Sequence, residues 1–182
     1  LNRHSGPKPQ TKQESKQVNT TIDALKDRMA LPAIAAPMFL VSGTDMVISA
    51  CKNGVMGSCP GTNARTIDDM RTWFERINAS LSERDAPWAF NMIAHSSYSR
   101  FDEELALDEE YQPGLVITAL GGPHRVTEQV HGYGGLVFAD VSSPSFARKA
   151  IDKGADGLVL VCAGAGGHTG EYAMLPFIEE VR

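Results

Sequence analysis

The sequence predicts an α/β protein of the (β/α)8 TIM-barrel class, carrying the first six βα units of such a barrel. Three observations support this. Short apolar runs without polar alternation recur at Ala33–Met38, Val55–Cys59, Trp88–Ile93, Leu115–Leu120, Leu136–Val141 and Gly157–Cys162; runs of this kind fit parallel strands covered on both faces. Their starts lie roughly 20–33 residues apart, the size of a βα unit. Segments of helical period fill the gaps with no break in the alternation, which favours a closed barrel over an open doubly wound sheet. A whole barrel takes about 250 residues, so strands seven and eight are expected to lie outside these 182 residues.

Residues 1–20 are polar, with Arg3, Lys8, Lys12 and Lys16 against Glu14 alone. They read as a flexible polar tail, which leaves 21–182 as the N-terminal part of the barrel. Residues 21–30 suit a short lead-in helix. Asp45–Lys52 forms a helix stopped by Gly54. Thr66 caps the next, with Asp69 three residues on in a capping box. Ile67, Met70, Trp73, Phe74, Ile77 and Leu81 share its apolar face. Glu103, Glu104, Asp108, Glu109 and Glu110 form an acidic run read as a solvated helix face. His131, just before the Gly132–Gly135 turn, is expected to be exposed. Ser143 and Pro144 open a helix as N-cap and first residue. Phe146, Ala147, Ala150 and Ile151 are expected on its buried side, and Gly154 stops it. Thr169 is expected to cap the last helix, which buries Met174, Leu175, Phe177 and Ile178.

Composition narrows the function classes. The net charge is −5 with 42% hydrophobic residues, so no basic surplus exists to neutralise nucleic-acid phosphates. The longest apolar run, Leu31–Val41, contains two prolines and falls short of the about 20 residues that cross a bilayer. Three cysteines without a CxxC pair, and no apolar stretch in the first twenty residues, suggest a reduced, cytoplasmic setting.

In a barrel of this class, chemistry sits at the C-terminal ends of the strands and in the loops after them. Those positions hold Pro37-Met38-Phe39, Ser58-Cys59-Pro60-Gly61, Asn91 and His95, Gly121-Gly122-Pro123-His124, Asp140 and Ser142, and the run Cys162–Gly170. In the last of these, five glycine or alanine residues precede His168. Such a loop lets a flat group approach bare main chain, and its N–H groups suit the electron-rich edge of a ring. An imidazole titrating near neutrality can take a proton from carbon or hold a developing anion. His95, His124, Asp140 and His168 also allow a zinc reading. However, no HxH or HxxxH spacing builds a preformed pair, so no metal is expected. Cys59 and Cys162 read as small hydrophobes.

Ala35-Ala36-Pro37-Met38 after the first strand, Asn91 in the third, and Gly154-Ala155-Asp156-Gly157 leading to Ala165-Gly166-Gly167-His168-Thr169-Gly170 together resemble the nitronate monooxygenase (2-nitropropane dioxygenase) family. The resemblance spans 32–182, and the glycine-rich element before the histidine is its most specific part. It implies an FMN-dependent oxidoreductase that oxidises alkyl nitronates or nitroalkanes with dioxygen to a carbonyl compound and nitrite. Carried over by position, Pro37, Met38 and Phe39 lie along the flavin, Asn91 bonds its ring edge, Gly166 and Gly167 touch it through the backbone, and His168 is catalytic. The chain departs from the family's pattern in two places. It has Ala139-Asp140 where many members carry a lysine, and Gly164 where many carry Glu or Cys.

The partners implied are a small nitro substrate and dioxygen, with no nucleic acid and no membrane. Two alternatives stand beside this reading. One is a flavin-dependent enoyl-thioester reductase using NAD(P)H. The other is a truncated half-barrel with only an assembly role, whose open edge strands also leave homo-oligomer formation open.

Overall fold

A computed structural model describes residues 21–182; the tail read at 1–20 lies outside the described residues. Six parallel strands form one sheet in sequential order: β1 (Ile34–Ala35), β2 (Met56–Pro60), β3 (Ala89–Ile93), β4 (Leu115–Ala119), β5 (Leu136–Val141) and β6 (Gly157–Leu160). Each pairs in parallel with the next, in registers such as Asn91↔Ile117 and Asp140↔Val159. The sheet curls into a partial (β/α) barrel with a helix after every strand. The helices are α1 (Ile22–Asp27), α2 (Thr44–Lys52), α3 (Ile67–Ser80), α4 (Phe101–Tyr111), α5 (Thr127–Tyr133), α6 (Pro144–Asp152) and α7 (Met174–Val181).

The unalternated strands are explained by two separate apolar layers, one on each face of the sheet. Met56, Ala89, Leu115, Ile117 and Leu136 point inward, with Ile34, Phe138 and Val159 against them. Cys59, Phe90, Met92, Val116 and Val137 point outward onto the helices, where they meet Val47, Met70, Phe74, Ile77 and Leu107. Further along the sheet, Ala139 and Val141 pack with Ala147, Ala150 and Phe177. Successive strand residues therefore alternate between the barrel interior and the helix layer.

Local signals fix several helix starts. The Thr66 hydroxyl accepts from Asp69 N–H at 3.0 Å, and Thr66 N–H donates to the Asp69 carboxylate at 3.1 Å, completing the capping box. Ser143 Oγ accepts from Phe146 N–H at 3.3 Å ahead of Pro144.

Four expectations are corrected. The N-cap of α7 is Ala173, not Thr169, because the Thr169 hydroxyl is engaged within its own loop by Cys162 O and Gly164 N–H. Phe177 alone is buried in α7; Met174, Leu175 and Ile178 are exposed, as are Phe146 and Ile151 of α6. The acidic run is not wholly solvated, since Glu104 and Asp108 are completely buried: α4 turns these two toward its neighbours and the other three outward. His131 is not idle. Its Nε2 lies 2.8 Å from Asp156 Oδ2, which also accepts Val137 N–H at 2.8 Å and so ties the starts of β5 and β6 together.

Candidate active site at the C-terminal rim

The rim is formed by the loops that follow the strands. Ahead of α2, the loop carrying Pro37, Met38 and Phe39 is held by side chains. Ser42 Oγ accepts Met38 N–H at 2.8 Å and donates to Ala36 O at 3.1 Å. Asn63, from the turn after β2, accepts Leu40 N–H at 2.8 Å and donates to Met38 O and Ser42 O at 3.0 and 2.9 Å. Leu40 is held at φ +62°, a left-handed conformation that is rare for a branched side chain. Met38, Phe39, Leu40 and Val41 are thereby presented outward, all exposed. An apolar surface on a loop fixed by five hydrogen bonds is suited to lie against something.

On the inner face of β3, Asn91 is half-buried and donates through Nδ2 to Ile117 O at 3.1 Å. Among the described residues its Oδ1 accepts no hydrogen bond, so a polar acceptor faces the barrel interior.

The loop after β6 is held differently. Ala163 N–H donates to Tyr172 O at 2.7 Å, and Ala165 and Gly170 N–H both donate to Cys162 O at 3.2 Å. The glycines of the motif divide into two kinds. A Cβ on Gly170 would sit 1.8 Å from Val161 O, so this glycine lets the loop close onto the strand. A Cβ on Gly164, Gly166 or Gly167 would meet nothing within 4 Å. Those three line open space, with Gly167 at φ +72°, and the N–H groups of Gly166 and Gly167 donate to nothing among the described residues. His168 follows, exposed, on this segment.

Asp140 completes the rim on the inner side. It is half-buried at the end of β5, and its side chain accepts no hydrogen bond among the described residues. Burial pushes its carboxyl up to about 6, partly offset by the nearby imidazole of His168.

The remaining rim histidines have local tasks. His95 Nδ1 lies 2.7 Å from Ser97 Oγ and accepts Ser97 N–H at 3.2 Å. Its loop is clamped by Arg125, which donates to Ala94 O and His95 O and stacks 3.5 Å over the Phe101 ring. His124 folds over Gly122. No three His, Cys, Asp or Glu side chains gather into a metal-binding group among the described residues.

A cleft of about 640 Å³ opens at the opposite, N-terminal end of the strands, lined in part by Arg28, Asn78, Trp88 and Tyr111. Two of its hydrogen bonds are internal: Trp88 Nε1 donates to Asn78 Oδ1, and Asn78 Nδ2 to Tyr111 O, both at 2.9 Å. Closed pairs at this end of such a fold serve stability. The rim, where Asn91 Oδ1 and the glycine N–H groups are left unpaired among the described residues, is the candidate site.

Comparison with known proteins agrees with the architecture. No protein-family model and no curated protein matches the chain. FabK from Thermotoga maritima is similar in structure at a TM-score of 0.77 and 21% identity, over 88% of this chain and 49% of that one. Nitroalkane oxidase from Streptomyces ansochromogenes is similar at 0.76 and 20% identity, over 86% and 56%. The enoyl reductase domain of MlnA, from the macrolactin biosynthesis cluster of Bacillus amyloliquefaciens, is similar at 0.59 and 18%, over 71% and 33%. The chain spans about half the length of the FabK and nitroalkane oxidase structures. The fold is thus a partial (β/α) barrel.

Pro37, Met38, Phe39, Gly166, Gly167 and His168 lie in loops that follow strands, and Asn91 lies midway along β3 on its inner face. Asn63 and Ser42, which fix the first loop, were not anticipated. They belong to a turn and a helix approach with no motif of their own.

Proposed function

We propose that the protein is a flavin-dependent oxidoreductase that binds FMN at this rim and oxidises nitronates or nitroalkanes with dioxygen. The observation that carries this reading is the combination on one loop of glycines lining open space, unpaired N–H groups and an exposed imidazole. The residues present fit a flat ring with apolar faces and a polar edge. Met38 and Phe39 would supply apolar contact, Asn91 Oδ1 would accept from a ring N–H, and Gly166 and Gly167 N–H would donate to ring oxygens or nitrogens. Bound FMN would supply the redox chemistry, taking electrons from the substrate and passing them to dioxygen. His168 would take the α-proton of a nitroalkane or orient a nitronate. Similarity to a protein described as a nitroalkane oxidase supports the substrate class, as does the motif resemblance.

Similarity to an enoyl reductase domain favours a second reading, reduction of an enoyl thioester by NAD(P)H. Mixing the protein with FMN, removing free flavin, and assaying nitroethane, its nitronate, and a crotonyl thioester with NADH or NADPH separates the two. The proposal expects retained yellow colour and oxygen uptake with the nitro compounds. Thioester reduction alone establishes the second reading, and a colourless, inactive protein refutes both.

A further inference from the structure

Side chains link the first four strand-end loops in series, each reaching back from one loop to the main chain of the loop before it. Arg125, in the turn after β4, donates to Ala94 O and His95 O at 3.2 and 2.9 Å. Arg100, at the end of the loop after β3, donates to Ala64 O at 2.9 Å and to Gly61 O at 3.5 Å. Asn63, in the turn after β2, closes the series on the loop after β1 through Leu40 N–H, Met38 O and Ser42 O. Each of these bonds ends on a main-chain group, so the series holds backbone shape whatever side chains the loops carry.

The links are themselves braced. The Arg125 guanidinium lies over the Phe101 ring. Arg100 pairs at 3.2 Å with Glu104, which is fully buried and accepts the Tyr98 hydroxyl at 2.6 Å. The turn Gly61–Asn63 is closed by Ala64 N–H on Gly61 O at 3.2 Å. It presses so closely on Glu104 that a Cβ on Gly61 would lie 2.8 Å from Oε2. The loop after β6, by contrast, closes on itself through bonds among residues 162–172.

We propose that Asn63 is a positioning residue for the cofactor: it holds Met38 and Phe39 where a flavin ring would meet them, and Arg100 holds Asn63 in turn. This rests on the FMN reading above and adds the residues that set how tightly the ring is held. Asn63 uses both ends of its amide on one loop, Oδ1 accepting and Nδ2 donating twice. A left-handed leucine such as Leu40 persists only where its surroundings over-determine it, and this amide is the group that bonds Leu40 N–H. Because the loop is ordered before the ring arrives, binding does not have to order it. The Arg100 fork bridges two carbonyls of the turn that carries Asn63, a task its planar geometry suits and an ammonium group cannot copy.

Two measurements test this. The first needs no flavin and follows hydrogen exchange at the Leu40 amide by NMR. Asn63→Ala is expected to speed that exchange at least about tenfold while the amides of β3 and β4, which report global opening, keep their rates. Arg100→Lys, which keeps a positive charge beside Glu104 and loses the fork, is expected to speed it by a smaller factor. A Leu40 amide that ignores Asn63→Ala overturns the proposal, and so do strand amides that speed up in step with it. A Leu40 amide that responds to Asn63→Ala but not to Arg100→Lys removes Arg100 from the series. The second measurement titrates FMN into the unaltered protein and Asn63→Ala by flavin fluorescence, and records the visible spectrum of the bound flavin at saturation. The Kd is expected to rise about tenfold in the variant, and the bound spectrum to move toward that of free FMN as apolar contact is lost. Equal affinity and equal spectra remove the positioning role alone. If the unaltered protein binds no FMN, the cofactor reading and the positioning role fall together.

Discussion

Asp108 and Asp140 both carry carboxyls that burial lifts well above the usual carboxylate range, to about 7 and about 6. Their surroundings differ. Asp108 lies on α4 in the layer outside the sheet, completely buried, with the Tyr133 hydroxyl donating to it at 3.1 Å and its other oxygen unpaired. Asp140 lies on the inside of the sheet, partly open to solvent, and accepts no hydrogen bond among the described residues. A raised carboxyl therefore marks burial first, and what it faces decides whether it has chemistry to do. The helix layer uses buried charge to join elements. The rim leaves polar groups free for a ligand.

The largest effect on stability is expected in the helix layer. Glu104 is fully buried, accepts the Tyr98 hydroxyl at 2.6 Å and pairs with Arg100 at 3.2 Å. Arg100 in turn donates to Ala64 O at 2.9 Å, joining the loops after β2 and β3. Glu104→Ala leaves a largely buried guanidinium without its partner and should cost about 3 kcal/mol in urea unfolding. A loss below about 1 kcal/mol would mean that this cluster is not what holds the two loops.

Next comes Asp108. Its carboxyl titrates at about 7 in the folded chain, against about 4 when unfolded. The folded chain thus holds the extra proton between these values. The stability contribution is complete below about pH 4 and is lost as pH rises through about 7. Asp108→Asn should raise stability at pH 8 by roughly 2–4 kcal/mol and make little difference below pH 4. Thermal unfolding at the two pH values checks this, and a pH-independent difference contradicts it.

At the rim, Gly166→Ala should change stability by less than about 0.5 kcal/mol, because the added methyl meets nothing. It should nevertheless weaken FMN binding, read by flavin fluorescence, since the methyl occupies the space in which the ring would lie. Unaltered binding would remove this glycine from the cofactor surface.

Much of this architecture is legible in the sequence. Unalternated runs report strands covered on both faces, and Thr66 with Asp69 reports a helix start, because both are local effects. The location of His168 in the loop after β6, and of Asn91 within β3, follows once the strands are counted. Other features depend on contacts between distant residues. Which carboxylates of the acidic run are buried depends on how α4 packs against its neighbours, including Tyr98 and Tyr133. The expected buried face of α7 is largely exposed, since Phe177 alone finds a partner layer. The β1 run from Ala33 to Met38 shortens to Ile34–Ala35, as Pro37 offers no N–H for the ladder and the chain turns into the loop held by Asn63.

The central claim is that a glycine-lined rim holds FMN with the imidazole of His168 turned to the substrate. Its most direct test is nitroethane oxidation by FMN-loaded protein and by His168→Ala, with flavin content measured in both. Equal flavin content is expected in both proteins, with a turnover at least about a hundredfold lower in the variant. Equal turnover in the two proteins would contradict it.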